Sequence, residues 1–189
     1  MRFSGITPRQ ILIGVGMIVG MAIILLLMGR EPICTCGTIK LWHGDAFSSE
    51  SSQHIGDWYT PSHMIHGMIF YFVLWLVWRD GSVGNKALIS IALEAAWEIA
   101  ENTNYVIQRY REVTISLDYF GDSVLNSVSD IFAMLLGFYL ARRLPVGVTV
   151  VLALLFEAVT MWVIRDGLAL NVLMLLWPVE AVKTWQMGG

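Results

Sequence analysis

The residues of this chain best suited to chemistry fall into three short stripes. His63 and His66 are three positions apart and would share one face of a helix. Glu94, Glu98 and Glu101 follow at spacings of four and three, again a single helical stripe. Asp122, Asn126 and Asp130 recur at spacings of four. All of these lie in or beside strongly apolar runs. An acidic side chain at the centre of a membrane helix costs about 2.5–3.5 kcal/mol. Glu94, Glu98, Asp130 and Glu157 would together cost on the order of 10 kcal/mol if left unpaired. They must therefore face a bundle interior, where they are protonated, paired, hydrated or bound to metal. The candidate partners are His63, His66, Arg109 and Arg111.

Several kinds of chemistry fit these residue types. Imidazole with carboxylate suits Zn, Mn or Fe, and two histidines one turn apart can chelate one ion. His63, His66, Glu98 and Asp122 are the candidate ligands for a divalent transition metal such as Zn. The chain has neither a His-Glu-x-x-His motif nor the Glu-x-x-His pairs of di-iron bundles. Acid–base catalysis without metal is the second option, with His63, His66, Glu98 and Asp130 as the candidate catalytic groups. Ser62, Ser123 or Ser127 would then be the nucleophile. The third option is a hydrogen-bonded network that only fixes helix packing. Glu94, Glu101, Asn102, Asn126 and Ser123 complete the expected polar pocket under any of them. Ion or metal transport lacks inverted repeats, and only Pro178 suggests a broken helix.

These stripes need elements to hold them, and the composition says which kind. The chain has 189 residues, 56% hydrophobic and only 14% charged, against about 25% charged in a soluble domain. Its mean hydropathy is +0.63. A net charge of −3 offers no general attraction to nucleic acid. The expected fold is therefore all-α, a single-domain polytopic bundle in a lipid bilayer. Six runs approach the roughly 17–25 residues needed to span: 11–28, 61–78, 87–108, 123–141, 146–164 and 168–183. The last is short and interrupted by Pro178, so five spans with a re-entrant final segment is the alternative. Lys and Arg placement favours both termini in the cytoplasm. That choice gathers Arg2, Arg9, Arg79, Lys86, Arg142, Arg143 and Lys183 on the inner side. Arg30, Lys40, Arg109, Arg111 and Arg165 remain outside.

The long connection 29–60 is then periplasmic. Its Trp42, Trp58, Tyr59, His43 and His54 suit a loop folded across the outer mouth of the bundle. Gly16-x-x-x-Gly20 would let the first helix approach a neighbour closely. Cys34-Thr-Cys36 can bind Cu(I), exchange disulfides, or remain two thiols near a membrane surface. Glu157 and Asn171 would close the polar core from the far side, and Trp97 lies within the acidic stripe.

Several motifs in order carry a resemblance. These are Cys34-Thr-Cys36-Gly37, Leu41-Trp42-His43-Gly44, Asp57-Trp58-Tyr59-Thr60-x-Ser62-His63-x-x-His66-Gly67, Trp97-Glu98-x-x-Glu101-Asn102, Gly121-Asp122-Ser123-x-x-Asn126-Ser127-x-x-Asp130 and Pro178-Val179-Glu180-Ala181. From about Arg30 onward the chain resembles an uncharacterised family of bacterial inner-membrane proteins, a domain of unknown function. The resemblance implies an integral location in the inner (plasma) membrane and no reaction. A looser similarity, to VanZ-like membrane proteins, rests on an early helix His, a mid-helix Glu and an Asp-rich helix ending at Gly137. It implies chemistry at the outer leaflet. The expected function is a hydrolase or transferase acting on a lipid-linked substrate. A non-catalytic membrane subunit or assembly factor is the alternative, and an ion or metal transporter the third.

Overall fold

The computed structural model describes residues 5–188, so Arg2 lies outside the described residues. The described chain is helical without strands. In order, the elements are α1 (Pro8–Leu27), α2 (Thr60–Val77), α3 (Val83–Glu101), α4 (Asn104–Val113), α5 (Val124–Arg143), α6 (Val146–Ile164), α7 (Leu168–Leu176) and α8 (Glu180–Gln186). Four of them, α1, α2, α5 and α6, are long and apolar enough to cross a membrane. α3 has the length, at 19 residues, but carries Lys86, Glu94, Glu98 and Glu101.

Two expected segments divide. The run 87–108 is not one helix: α3 ends at Glu101 and α4 starts at Asn104. The break follows local capping chemistry. Thr103 takes an extended conformation, and its hydroxyl accepts the Val106 N–H, one of the free donors of a new helix. The Asn102 amide meanwhile donates to the Glu98 carbonyl at 3.0 Å. The run 168–183 also divides, into α7 and α8 around Trp177-Pro178-Val179. At about 1.5 Å per residue, nine residues of α7 reach about 14 Å, half of a hydrocarbon core of about 30 Å. Its first turn is capped from another helix: Glu157 accepts the Leu168 N–H at 3.0 Å and the Ala169 N–H at 2.8 Å. Glu157 thus closes no pocket; it satisfies the start of α7.

α2 and α5 form the closest helix pair. Gly67 and Gly137 allow this: a Cβ at 67 would lie 1.8 Å from the Met134 carbonyl oxygen, and one at 137 would lie 1.9 Å from that of Met64. The expectation for Gly16 and Gly20 is corrected, because nothing in the described chain comes within 4 Å of a Cβ at either. The α1 contact uses Gly14 instead, against Ile91 and Leu88 of α3. Met21 and Leu25 of α1, Ile91 and Ala95 of α3, and Val124, Ile131 and Met134 of α5 make one buried apolar cluster.

The loop 29–60 is bound to the bundle by hydrogen bonds. Val124 N–H donates to the Glu31 carbonyl at 2.8 Å, and Ser123 N–H to that of Ser52 at 3.0 Å. Gly121 adopts φ +101°, and a Cβ there would meet the Arg30 guanidinium at 2.4 Å. Arg30 donates to the Phe120 carbonyl beside it. These contacts gather the C-terminal ends of α1, α3 and α6 and the N-terminal ends of α2, α5 and α7 at one end of the bundle.

Asp166, fully buried between α6 and α7, ties that end together. It accepts from Gly167 N–H at 2.9 Å, Gln186 at 3.1 Å and the Tyr59 hydroxyl at 3.2 Å. Burial pushes its carboxyl up to about 6, from 3.8. The native chain therefore holds this proton more tightly than the unfolded chain. Its contribution to stability falls as pH rises from about 4 to about 6, and is flat outside that window. Asp166→Asn should reduce the decline of melting temperature across pH 4–6. A slope equal to that of the wild type would count against this assignment.

A buried histidine and carboxylate centre

The three stripes converge at the loop-covered end. His63 and His66, one turn apart on α2, both turn toward Glu94 of α3. His63 Nδ1 lies 2.6 Å from Glu94 Oε1, and His66 Nδ1 lies 3.1 Å from the same oxygen. A carboxylate that takes both Nδ1 protons leaves each Nε2 as an acceptor or ligand. Nε2 of His63 is 3.7 Å from Asp130 Oδ2, and its Nδ1 is 3.6 Å from Glu98 Oε1. His63, Glu98 and Asp130 each offer one ligand atom, all within 4.8 Å of one another; His63, His66 and Glu94 form a second such group.

Burial separates these groups by role. Glu94 and Glu98 are fully buried and Asp130 is 3% exposed. Glu94 is saturated by the two imidazoles. Among the described residues, Glu98 has no hydrogen-bond partner for either carboxylate oxygen, and neither does Asp130 Oδ1. Buried polar atoms are nearly always satisfied, so three orphaned carboxylate oxygens in one place call for a cation, a proton or water held there. The Ser127 hydroxyl, also buried, lacks a partner too.

The remaining expected site residues fall nearby in other roles. Asp122 belongs to neither ligand group. It accepts from the Asn102 amide at 2.8 Å and the Tyr119 hydroxyl at 3.0 Å. Burial pushes it up to about 6, and those two hydrogen bonds hold it back from rising further. Asn102 also accepts the Asp122 N–H at 2.8 Å, so this pair joins the end of α3 to the start of α5. Ser123 caps α5 and donates to the Gln53 carbonyl at 3.0 Å. Asn126 donates to the His54 carbonyl at 2.9 Å. Ser123 and Asn126 thus hold the loop on the bundle. Arg109 and Arg111 bond the Leu175 and Leu117 carbonyls, away from the buried acids.

A cavity of about 310 Å³ leads to the centre. His63, His66 and Asp130 lie on it, together with Glu101, Asp122 and Asn126. Its walls are Tyr59, Phe70, Trp97, Tyr110 and Tyr119, and loop residues Ala46–Ser52 contribute Phe47, Ser48, Ser51 and Ser52. No Lys or Arg is among its lining residues in the described chain. The tyrosines were not among the expected site residues. Their signal was present: Tyr59 sits in the Asp57-Trp58-Tyr59-Thr60 motif, and Tyr110 lies three residues from Ile107 on the buried face of α4.

The fold and site together define a class: an all-helical protein with four membrane-length helices and a buried imidazole–carboxylate centre under a loop. A family model described as "Protein of unknown function (DUF2585)" matches residues 25–188, and the chain belongs to that family. It is 67% identical to a UPF0314 protein of Paracoccus denitrificans over 165 residues, 87% of this chain and 86% of that one. It is 59% identical to a UPF0314 protein of Sinorhizobium fredii over 162 residues, 86% and 82% of the two chains. A UPF0314 protein of Sphingopyxis alaskensis matches at 51% over 186 residues, 98% and 99% of the two. The VanZ-like likeness finds no support in these matches. No solved structure matches the chain.

Proposed function

We propose that this chain is an integral protein of the bacterial plasma membrane that binds a divalent transition metal, of the Zn class, through His63, Glu98 and Asp130. The observation that carries this reading is the set of buried carboxylate oxygens without partners, both of Glu98 and one of Asp130, beside an imidazole. Two carboxylates and one neutral imidazole balance a doubly charged ion and suit Zn. Glu94 supports the centre from behind, fixing the tautomer of His63 and His66 so that both present Nε2. Held by these three residues, such an ion would supply Lewis-acid activation of water. That is the equipment of a hydrolase or transferase.

The substrate enters through the cavity. Its aromatic walls suit an apolar chain, and a lipid-linked molecule supplies one. With the N-terminus cytoplasmic, the cavity opens toward the periplasm; the expected cytoplasmic C-terminus does not go with this, because Gln186 of α8 is tied to Asp166 at the loop-covered end, as a re-entrant final segment would place it. His66 and Glu101, both on the cavity and outside the triad, are the groups available to move a proton.

The test is the metal content of protein purified in detergent under non-reducing conditions, since Cys34 and Cys36 are joined as a disulfide in the structure. The wild type should hold about one ion per chain, or regain one from Zn2+ after chelation, and its melting temperature should rise on loading. His63→Ala should hold none. A wild type that neither contains nor gains a transition metal sinks the reading and leaves a structural polar network in a non-catalytic membrane subunit. A separate prediction concerns Glu94, which touches the imidazoles rather than the ion. Glu94→Gln should weaken metal affinity by about 10–100-fold without abolishing it, as read by competition with a metal indicator. Unchanged affinity would remove Glu94 from the support of the centre.

A further inference from the structure

A second group of ligand-type side chains lies in the covering loop and shares no residue with the buried centre. Cys34, Cys36, Glu50 and His54 each offer one ligand atom, all within 4.8 Å of one another. Cys34 and His54 are buried, at 3% and 0% exposure. In the structure the two cysteines are joined as a disulfide. His54 Nε2 lies 2.9 Å from Glu50 Oε2, and the Lys40 ammonium lies 2.5 Å from the same oxygen. Lys40 and His54 together hold the Glu50 carboxyl down to about 2.

We propose that, once reduced, Cys34 and Cys36 form with Glu50 and His54 a second site for a thiophilic divalent cation such as Zn2+. Two thiolates, an imidazole and a carboxylate are a tetrahedral Zn donor set. Bonds of about 2.3 Å to sulfur and about 2.0 Å to nitrogen or oxygen place such ligands about 3.3–3.8 Å apart, so the cluster needs only small shifts to close on an ion. The charges balance: two thiolates and Glu50 carry three negative charges, which the ion and Lys40 neutralise. The His54 nitrogen that coordinates gives up its present contact, either the Lys40 N–H at 3.3 Å or Glu50 at 2.9 Å.

Opening the disulfide takes two electrons and two protons from an external dithiol, which leaves as its own disulfide. Entry of the ion then releases both thiol protons to solvent. The consequence reaches the cavity. The loop that carries this cluster also supplies Ser51 and Ser52 to the cavity wall. Gln53 and His54 fasten it to Gly121, Ser123 and Asn126. The ion would therefore clamp the roof over the buried centre.

The test is a Co2+ titration of full-length protein in detergent, oxidised or reduced with dithiothreitol that is then removed without air. The reduced wild type should bind about one more Co2+ per chain than the oxidised wild type and show a thiolate-to-cobalt charge-transfer band. Cys34→Ser should lose the band, and His54→Gln should weaken the extra site by about tenfold or more. Glu98→Gln should keep it, which separates this site from the buried centre. Should reduced protein take up no more Co2+ than oxidised protein, or should the band persist in Cys34→Ser, the proposal fails. The comparison of oxidised with reduced wild type stands even if a variant does not fold.

Discussion

Gly137→Ala should leave little folded protein, although it adds one methyl group. Its Cβ would sit 1.9 Å from the Met64 carbonyl oxygen, and a Cβ at 67 would sit 1.8 Å from that of Met134 and 2.6 Å from Phe138 N. These obstacles are backbone atoms and cannot rotate aside, so α2 and α5 would have to separate. Ordinary overpacking costs about 1–3 kcal/mol; here the loss should exceed that, because the whole crossing must open. The damage would also reach the site, since α2 carries His63 and α5 carries Asp130. Gly16→Ala and Gly20→Ala are the controls. Nothing lies within 4 Å of either added carbon, so better helix propensity should make them neutral or stabilising by up to about 1 kcal/mol. Yield of monodisperse protein and melting temperature in detergent read both effects. Gly137→Ala melting within a few degrees of the wild type would refute the close crossing.

Glu98→Leu should abolish metal binding at the buried centre and yet stabilise the metal-free chain. The Glu98 carboxylate is fully buried and has no hydrogen bond among the described residues. An unsatisfied buried polar group costs about 1–3 kcal/mol, which an apolar side chain of similar size removes. Asp122→Leu supplies the contrast. The Asp122 carboxylate accepts two hydrogen bonds, so an apolar replacement leaves the Asn102 amide and the Tyr119 hydroxyl without that acceptor and should lower stability with or without metal, by about 1–3 kcal/mol. Melting curves of chelated and Zn2+-loaded protein distinguish the two cases. If Glu98→Leu destabilises the chelated protein as much as Asp122→Leu does, Glu98 is an ordinary structural group and the metal centre falls with it.

Much of this was legible in the linear order of residues. Apolar runs near 20 residues with few charges can only be satisfied as helices in lipid, so the all-helical class and the membrane-length helices follow from composition alone. Spacings of three and four put His63 with His66 and Glu94 with Glu98 on common faces, because helical geometry is local. Other features were legible but outweighed: Asn102-Thr103 carries cap residues inside the run 87–108, yet hydrophobicity extended the helix through them.

What periodicity does not contain is the identity of the facing chain. It gives Asp122 and Asp130 equal standing on one stripe, yet Asn102 and Tyr119 satisfy the first and leave the second beside His63. It gives Gly16 and Gly20 a packing role that in α1 fell to Gly14, and it does not mark Gly67 and Gly137 at the tightest crossing, since only the partner chain decides which glycine is needed. Tyr59, Tyr110 and Tyr119 come from separate segments and meet on one cavity wall. The reason is physical: local spacing sets which side of a helix a residue occupies, whereas satisfaction of a buried charge depends on contacts between segments distant in the chain.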